Sequence, residues 1–134
     1  MTSKPRAIPT AAMPILVIED EPSVTAFLRA ALERRGYAVT PAASAAEGLE
    51  LLAHGNFFGV ISDIRTPGRV NGADVHSWIQ EHRPELRSRI ILISGDTANS
   101  ETLALLERSG TPCVEKPFRV QEFISIVERT LGKP

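Results

Sequence analysis

Phe57-Phe58-Gly59-Val60-Ile61-Ser62-Asp63 is an apolar run that ends abruptly on one carboxylate. Ile64-Arg65-Thr66-Pro67-Gly68 follows, and its proline and glycine cannot continue a strand. A short run of β-branched and aromatic residues closed this way reads as a buried strand feeding a loop. Asp63 then stands at the strand's carboxyl end, where open α/β sheets place ligands and chemistry. An Asp that merely starts a turn is the alternative for this stretch alone. The flanking sequence decides between them.

Upstream, Ile15-Leu16-Val17-Ile18 is a fully apolar run that reads as a central strand, closed by Glu19-Asp20-Glu21. Pro22 suits the first turn of a helix, and Val24, Phe27, Leu28, Ala31 and Leu32 then recur at helical spacing until Gly36. Tyr37-Ala38-Val39-Thr40 reads as a weaker strand. Ser44 with Glu47 three residues on is a capping-box pattern for a helix carrying Ala45, Leu49 and Leu52, ended near Gly55.

Downstream, Val75, Trp78 and Ile79 mark a third helix stopped by Pro84, and Trp78 reads as core. Arg89-Ile90-Ile91-Leu92-Ile93-Ser94-Gly95 is another strand, and Leu103 and Leu106 give a fourth helix closed by Gly110. Cys113-Val114-Glu115 is a brief strand before Lys116-Pro117. Val120, Phe123, Ile124, Val127 and Leu131 form the last helical stripe. In every helix the apolar stripe reads as core. Strands and helices alternate five times, which predicts an α/β fold: a parallel sheet with helices on both faces.

The 134 residues suit one domain. The expected division is a flexible leader over residues 1–13 and a domain over 14–132. Hydrophobic residues at 43% and charged residues at 23% are ordinary for a globular chain. A net charge of -1 argues against a broad basic face for nucleic acid. The single Cys113 excludes an internal disulfide and a cysteine-based zinc site. His54, His76 and His82 lack metalloprotease spacing and fall away from the strand ends. No apolar run is long enough to span a membrane, and the leader is no secretory signal, so a reducing cytoplasm is the expected location.

All carboxyl ends of a parallel sheet lie on one edge. Glu19, Asp20, Asp63, Ser94 and Lys116 therefore share one rim. Singly, each has an ordinary structural role: a helix start, a turn, a cap, a solvated charge. Together they fit one chemistry. Clustered carboxylates raise one another's pKa unless a cation sits between them, and a hard divalent ion such as Mg²⁺ takes oxygen ligands. A carboxylate can attack phosphorus and form an aspartyl phosphate, and a lysine can neutralise the phosphoryl oxygens. Asp63 is the nucleophile candidate because it stands alone at a central strand's end; Asp20 and Glu19 are better placed to hold metal.

These segments resemble the receiver domain of two-component response regulators, over essentially all of Pro14 to Leu131. Ile15-Leu16-Val17-Ile18-Glu19-Asp20-Glu21 is similar to the family's acidic segment, and Val60-Ile61-Ser62-Asp63-Ile64-Arg65-Thr66-Pro67-Gly68 to its phosphoacceptor segment. Ile91-Leu92-Ile93-Ser94-Gly95 and Glu115-Lys116-Pro117-Phe118 match its Ser/Thr and lysine segments. The resemblance implies a flavodoxin-like, doubly wound five-stranded parallel sheet of order 2-1-3-4-5 with five helices. It implies a phosphoryl group accepted on Asp63 from a histidine kinase or histidine phosphotransfer protein. Mg²⁺ would be held by Asp20, Asp63, the Arg65 backbone carbonyl and, through water, Glu19. Lys116, usually before a cis peptide to Pro117, would contact the phosphoryl group. Ser94 would move toward it and shift the face made by helix four, strand five and helix five. The output would pass to a downstream protein target, without direct nucleic-acid or membrane contact. That face allows a homodimer, though no residue here argues for one.

Three departures stand out. Glu19 replaces the usual Asp, and the loop Gly68-Arg69-Val70-Asn71 looks one residue longer than the commonest pattern. Cys113 occupies the position of the aromatic switch residue, reading as an inert small side chain with no ring to swing inward. Arg65 and Asp96 are expected to pair across the site mouth and hinder water. The alternative is a degenerate receiver serving only as an interaction module. A dehalogenase-type phosphatase would need an acid where Arg65 stands, and a flavodoxin a phosphate loop where Glu19-Asp20-Glu21 stands.

Overall fold

The computed structural model describes residues 13–65, 70–95 and 100–134. Strands β1 (Ile15–Ile18), β2 (Val39–Ala42), β3 (Gly59–Asp63), β4 (Ile90–Ser94) and β5 (Cys113–Glu115) alternate with helices α1 (Pro22–Arg34), α2 (Ala45–His54), α3 (Gly72–His82), α4 (Ser100–Ser109) and α5 (Val120–Leu131). One 3₁₀ turn, Pro84–Leu86, follows α3. The strands form one sheet in the order β2-β1-β3-β4-β5, every neighbouring pair parallel. This is the flavodoxin-like arrangement.

Strand parity divides the core. Ile15, Val17, Ile61, Ile91, Ile93 and Val114 face Leu28 and Leu32 of α1 and Phe123, Val127 and Leu131 of α5. Leu16, Ile18, Val60, Ile90 and Leu92 face Leu52 of α2, Val75 and Ile79 of α3 and Leu105 of α4. Every residue of β1, β3 and β4 is buried, as expected where helices cover both faces.

Local chemistry sets the boundaries. Pro22 opens α1, and Gly36 leaves it at φ +94°. Ser44 Oγ accepts the Glu47 N–H at 3.1 Å, while the Glu47 carboxylate accepts the Ala43 N–H at 2.8 Å. Asn71 and Asp74 form a full capping box at the start of α3, a pattern the sequence reading passed over.

Three strands begin later than expected, β4 by one residue, at Ile90 rather than Arg89. β2 runs Val39–Ala42 rather than Tyr37–Thr40. Tyr37 instead buries its ring before the strand and donates its hydroxyl to the Gly132 carbonyl at 2.6 Å. Pro41 is tolerated because β2 is an edge strand. β3 starts at Gly59, after Phe57 and Phe58; the Leu131 methyls fill the space where a Cβ at residue 59 would stand, so that position takes a glycine.

The stripes are not core throughout: Phe27 (43%), Leu103 (45%) and Val120 (43%) are exposed. Trp78 is half-buried and stacks on His82, with ring centroids 4.6 Å apart. No described helix is long and apolar enough to cross a membrane. The leader up to residue 12, the loop residues 66–69 and Asp96 lie outside the described residues.

Candidate functional site

The register pairs Ile18 with Ser62, so Glu19 and Asp63 leave the sheet side by side. It also pairs Ser94 with Glu115, which sets Lys116 one step past β4's end, and the Lys116 N–H donates to the Ser94 carbonyl at 2.7 Å. The Lys116–Pro117 peptide is cis.

The Lys116 ammonium lies 2.8 Å from Asp63 Oδ2 and 3.1 Å from Glu19 Oε1. It is also 3.7 Å from Glu21 Oε1. Asp63 Oδ1 accepts the Arg65 N–H at 2.9 Å. Glu19 Oε2 accepts the Glu21 N–H at 3.1 Å, and the Thr25 hydroxyl donates to the Glu19 carbonyl at 3.4 Å. Both carboxylates have fixed orientations, each with one oxygen on a main-chain amide and the other on the lysine.

Glu19 and Asp63 are buried at 2% and 6% exposure, while Asp20 is exposed. Burial raises the Glu19 pKa above its ordinary value; the Glu21 amide and Lys116 oppose that rise only in part. Burial alone would lower the Lys116 pKa. Its hydrogen bond and charge contact with Asp63, then those with Glu19, outweigh burial and raise it above the ordinary lysine value. The ammonium is therefore held firmly charged.

Glu19, Asp20 and Asp63 each offer a carboxylate oxygen, and these atoms lie within 4.8 Å of one another. Like charges this close repel by an amount on the order of a few kcal/mol at a near-surface dielectric. One lysine leaves the cluster net negative. An all-oxygen donor set with surplus negative charge, open on the Asp20 side, fits a hard divalent cation such as Mg²⁺.

Four of the residues picked from the sequence, Glu19, Asp20, Asp63 and Lys116, thus meet directly. Ser94 is buried at the adjoining strand end and touches the group through its main chain. Arg65 contributes its amide to Asp63, and its side chain is exposed. Asp96, the other member of the expected Arg65–Asp96 pair, lies outside the described residues. Sequence reasoning missed the reach of Glu21 to Lys116 and the role of Gly72. A Cβ on Gly72 would lie 2.7 Å from both the Asp63 carbonyl oxygen and the Ile64 Cα, so only glycine lets α3 start against the site strand. Cys113 opens β5 half-buried against the α2–α3–α4 face of the core.

Comparison with known proteins places this geometry. The chain matches the family model for the response regulator receiver domain over residues 15–128. It is 32% identical to the DNA-binding transcriptional regulator NtrC of Azospirillum brasilense, over 88% of this chain and 24% of that protein. It is 33% identical to the transcriptional regulatory protein KdpE of Mycobacterium tuberculosis, over 83% of this chain and 47% of that one. The chain therefore spans about a quarter to a half of the length of these curated relatives. Among solved structures, the response regulator protein TrrA of Thermotoga maritima, crystallised in complex with Mg²⁺ and BeF, superposes with a TM-score of 0.75 at 30% identity. That match covers 89% of this chain and 99% of the other. The model match runs through all four rim segments, and the protein belongs to the response regulator receiver domain family.

Proposed function

We propose that this domain is a phosphorylation switch: Asp63 accepts a phosphoryl group from the phosphohistidine of a histidine kinase or phosphotransfer protein, in a Mg²⁺-dependent step. The observation that carries the reading is the Lys116 ammonium held between Asp63 and Glu19, beside three carboxylates with oxygens within 4.8 Å. The family is a signalling domain rather than a classical enzyme.

A carboxylate oxygen of Asp63 attacks phosphorus, the P–N bond of the donor breaks, and the imidazole leaves with that electron pair. The Arg65 amide fixes Asp63 through Oδ1. Lys116 follows the charge from the carboxylate onto the phosphoryl oxygens, and the Ser94 hydroxyl supplies a further hydrogen bond. Asp20 and Asp63, with the Arg65 carbonyl and Glu19 through water, would hold Mg²⁺, which supplies neutralisation of charge on the transferred group. The output partner is a downstream protein. The absence of a ring at Cys113 favours, as a second reading, a module that binds partners without phosphorylation.

Exposure to acetyl phosphate with Mg²⁺, followed by intact mass measurement, separates the two. The switch predicts one phosphoryl adduct that vanishes without metal and in Asp63→Asn. Mg²⁺ binding with no adduct from acetyl phosphate or from a phosphorylated histidine donor would leave the interaction module.

A further inference from the structure

Glu21 occupies the N-cap of α1 with extended backbone angles, yet its side chain makes no capping hydrogen bond. Capping is the work of the short Ser, Thr, Asp and Asn side chains, and the longer glutamate is free of it. Here the side chain turns to the site instead, with Oε1 3.7 Å from the Lys116 ammonium. The Glu21 amide meanwhile orients Glu19. The Glu21 side chain is 61% exposed, so it stands at the edge of the site rather than inside it.

The ammonium rests mainly on Asp63 and Glu19, two of the three acids whose oxygens converge. A cation entering among Glu19, Asp20 and Asp63 repels that ammonium and competes for the same oxygens. Glu21 lies outside this trio but within reach of the lysine.

Resting on the proposed function, we infer that Glu21 is a positioning residue. It takes the Lys116 ammonium as the cation enters, which keeps the lysine at the site mouth for the phosphoryl oxygens. Without it, the lysine stays on Asp63 and Glu19 and opposes the metal.

Calorimetric Mg²⁺ binding to the intact chain tests this directly. Glu21→Gln keeps the shape and removes the charge; the expected weakening is about two- to fivefold, the scale of a partly exposed ion pair. Glu21→Asp keeps the charge but loses reach, and is expected to weaken binding similarly. In a Lys116→Met background, Glu21→Gln is expected to have no further effect. Unchanged affinity in Glu21→Gln, wild-type affinity in Glu21→Asp, or an undiminished effect in Lys116→Met would each overturn the assignment. Those results leave the phosphorylation switch standing, whereas a wild-type chain that binds no Mg²⁺ overturns both.

Discussion

The Cys113 thiol has its pKa pushed up to about 11, first by burial and then by the charges of Glu115 and Asp63. The thiolate is the reactive form, so the side chain is inert at neutral pH. Iodoacetamide labelling at pH 8 should run more than about tenfold slower in the folded protein than in urea, and should accelerate as pH rises toward 11. Equal rates in the two states would show an exposed thiol in place of the half-buried one. The thiol's low reactivity was legible in the sequence as a small residue opening an apolar strand. The roles of the three successive acids were not. Glu19 points inward at 2% exposure, Asp20 faces out and Glu21 bends back to Lys116. Their order in the chain says nothing of this, because the backbone turn out of β1 decides it.

At the scale of elements, α3 starts against the site strand. The close neighbours of a Cβ on Gly72 are backbone atoms of Asp63 and Ile64, which cannot move aside as a side-chain tip can. Gly72→Ala should therefore cost about 1–3 kcal/mol of unfolding free energy in urea, the range for overpacking a fitted site. Gly95→Ala is the contrast, since its nearest contact is the Lys116 Cδ at 4.0 Å, and it should leave stability within about 0.5 kcal/mol. Equal stability in the two variants would contradict the packing account. The apolar runs made β1 and β5 legible to the residue. Periodicity located the helices but not the width of their buried faces, which is why Phe27, Leu103 and Val120 proved exposed. Beside the strand starts at Val39 and Gly59, Tyr37 reaches Gly132 and Leu131 packs over residue 59. Both are contacts with the far end of the chain, invisible to a local reading.

Across the whole molecule, the parallel sheet gathers four strand ends from positions as distant as Glu19 and Lys116. That convergence was legible because β-α alternation fixes direction: once every strand is parallel, all carboxyl ends share an edge. The pairing of Lys116 with Asp63 and Glu19 needed the register as well. The central claim is that these ends act as one site, loaded at Asp63 and felt at Ser94 and Lys116. Amide chemical shifts of the isotope-labelled chain, titrated with beryllofluoride in the presence and absence of Mg²⁺, test it most directly. The account predicts that the amides of Asp63, Ser94, Gly95 and Lys116 shift together and saturably, only with Mg²⁺ and not in Asp63→Asn. Shifts that leave Ser94 and Lys116 unmoved, or that persist in Asp63→Asn, would contradict it.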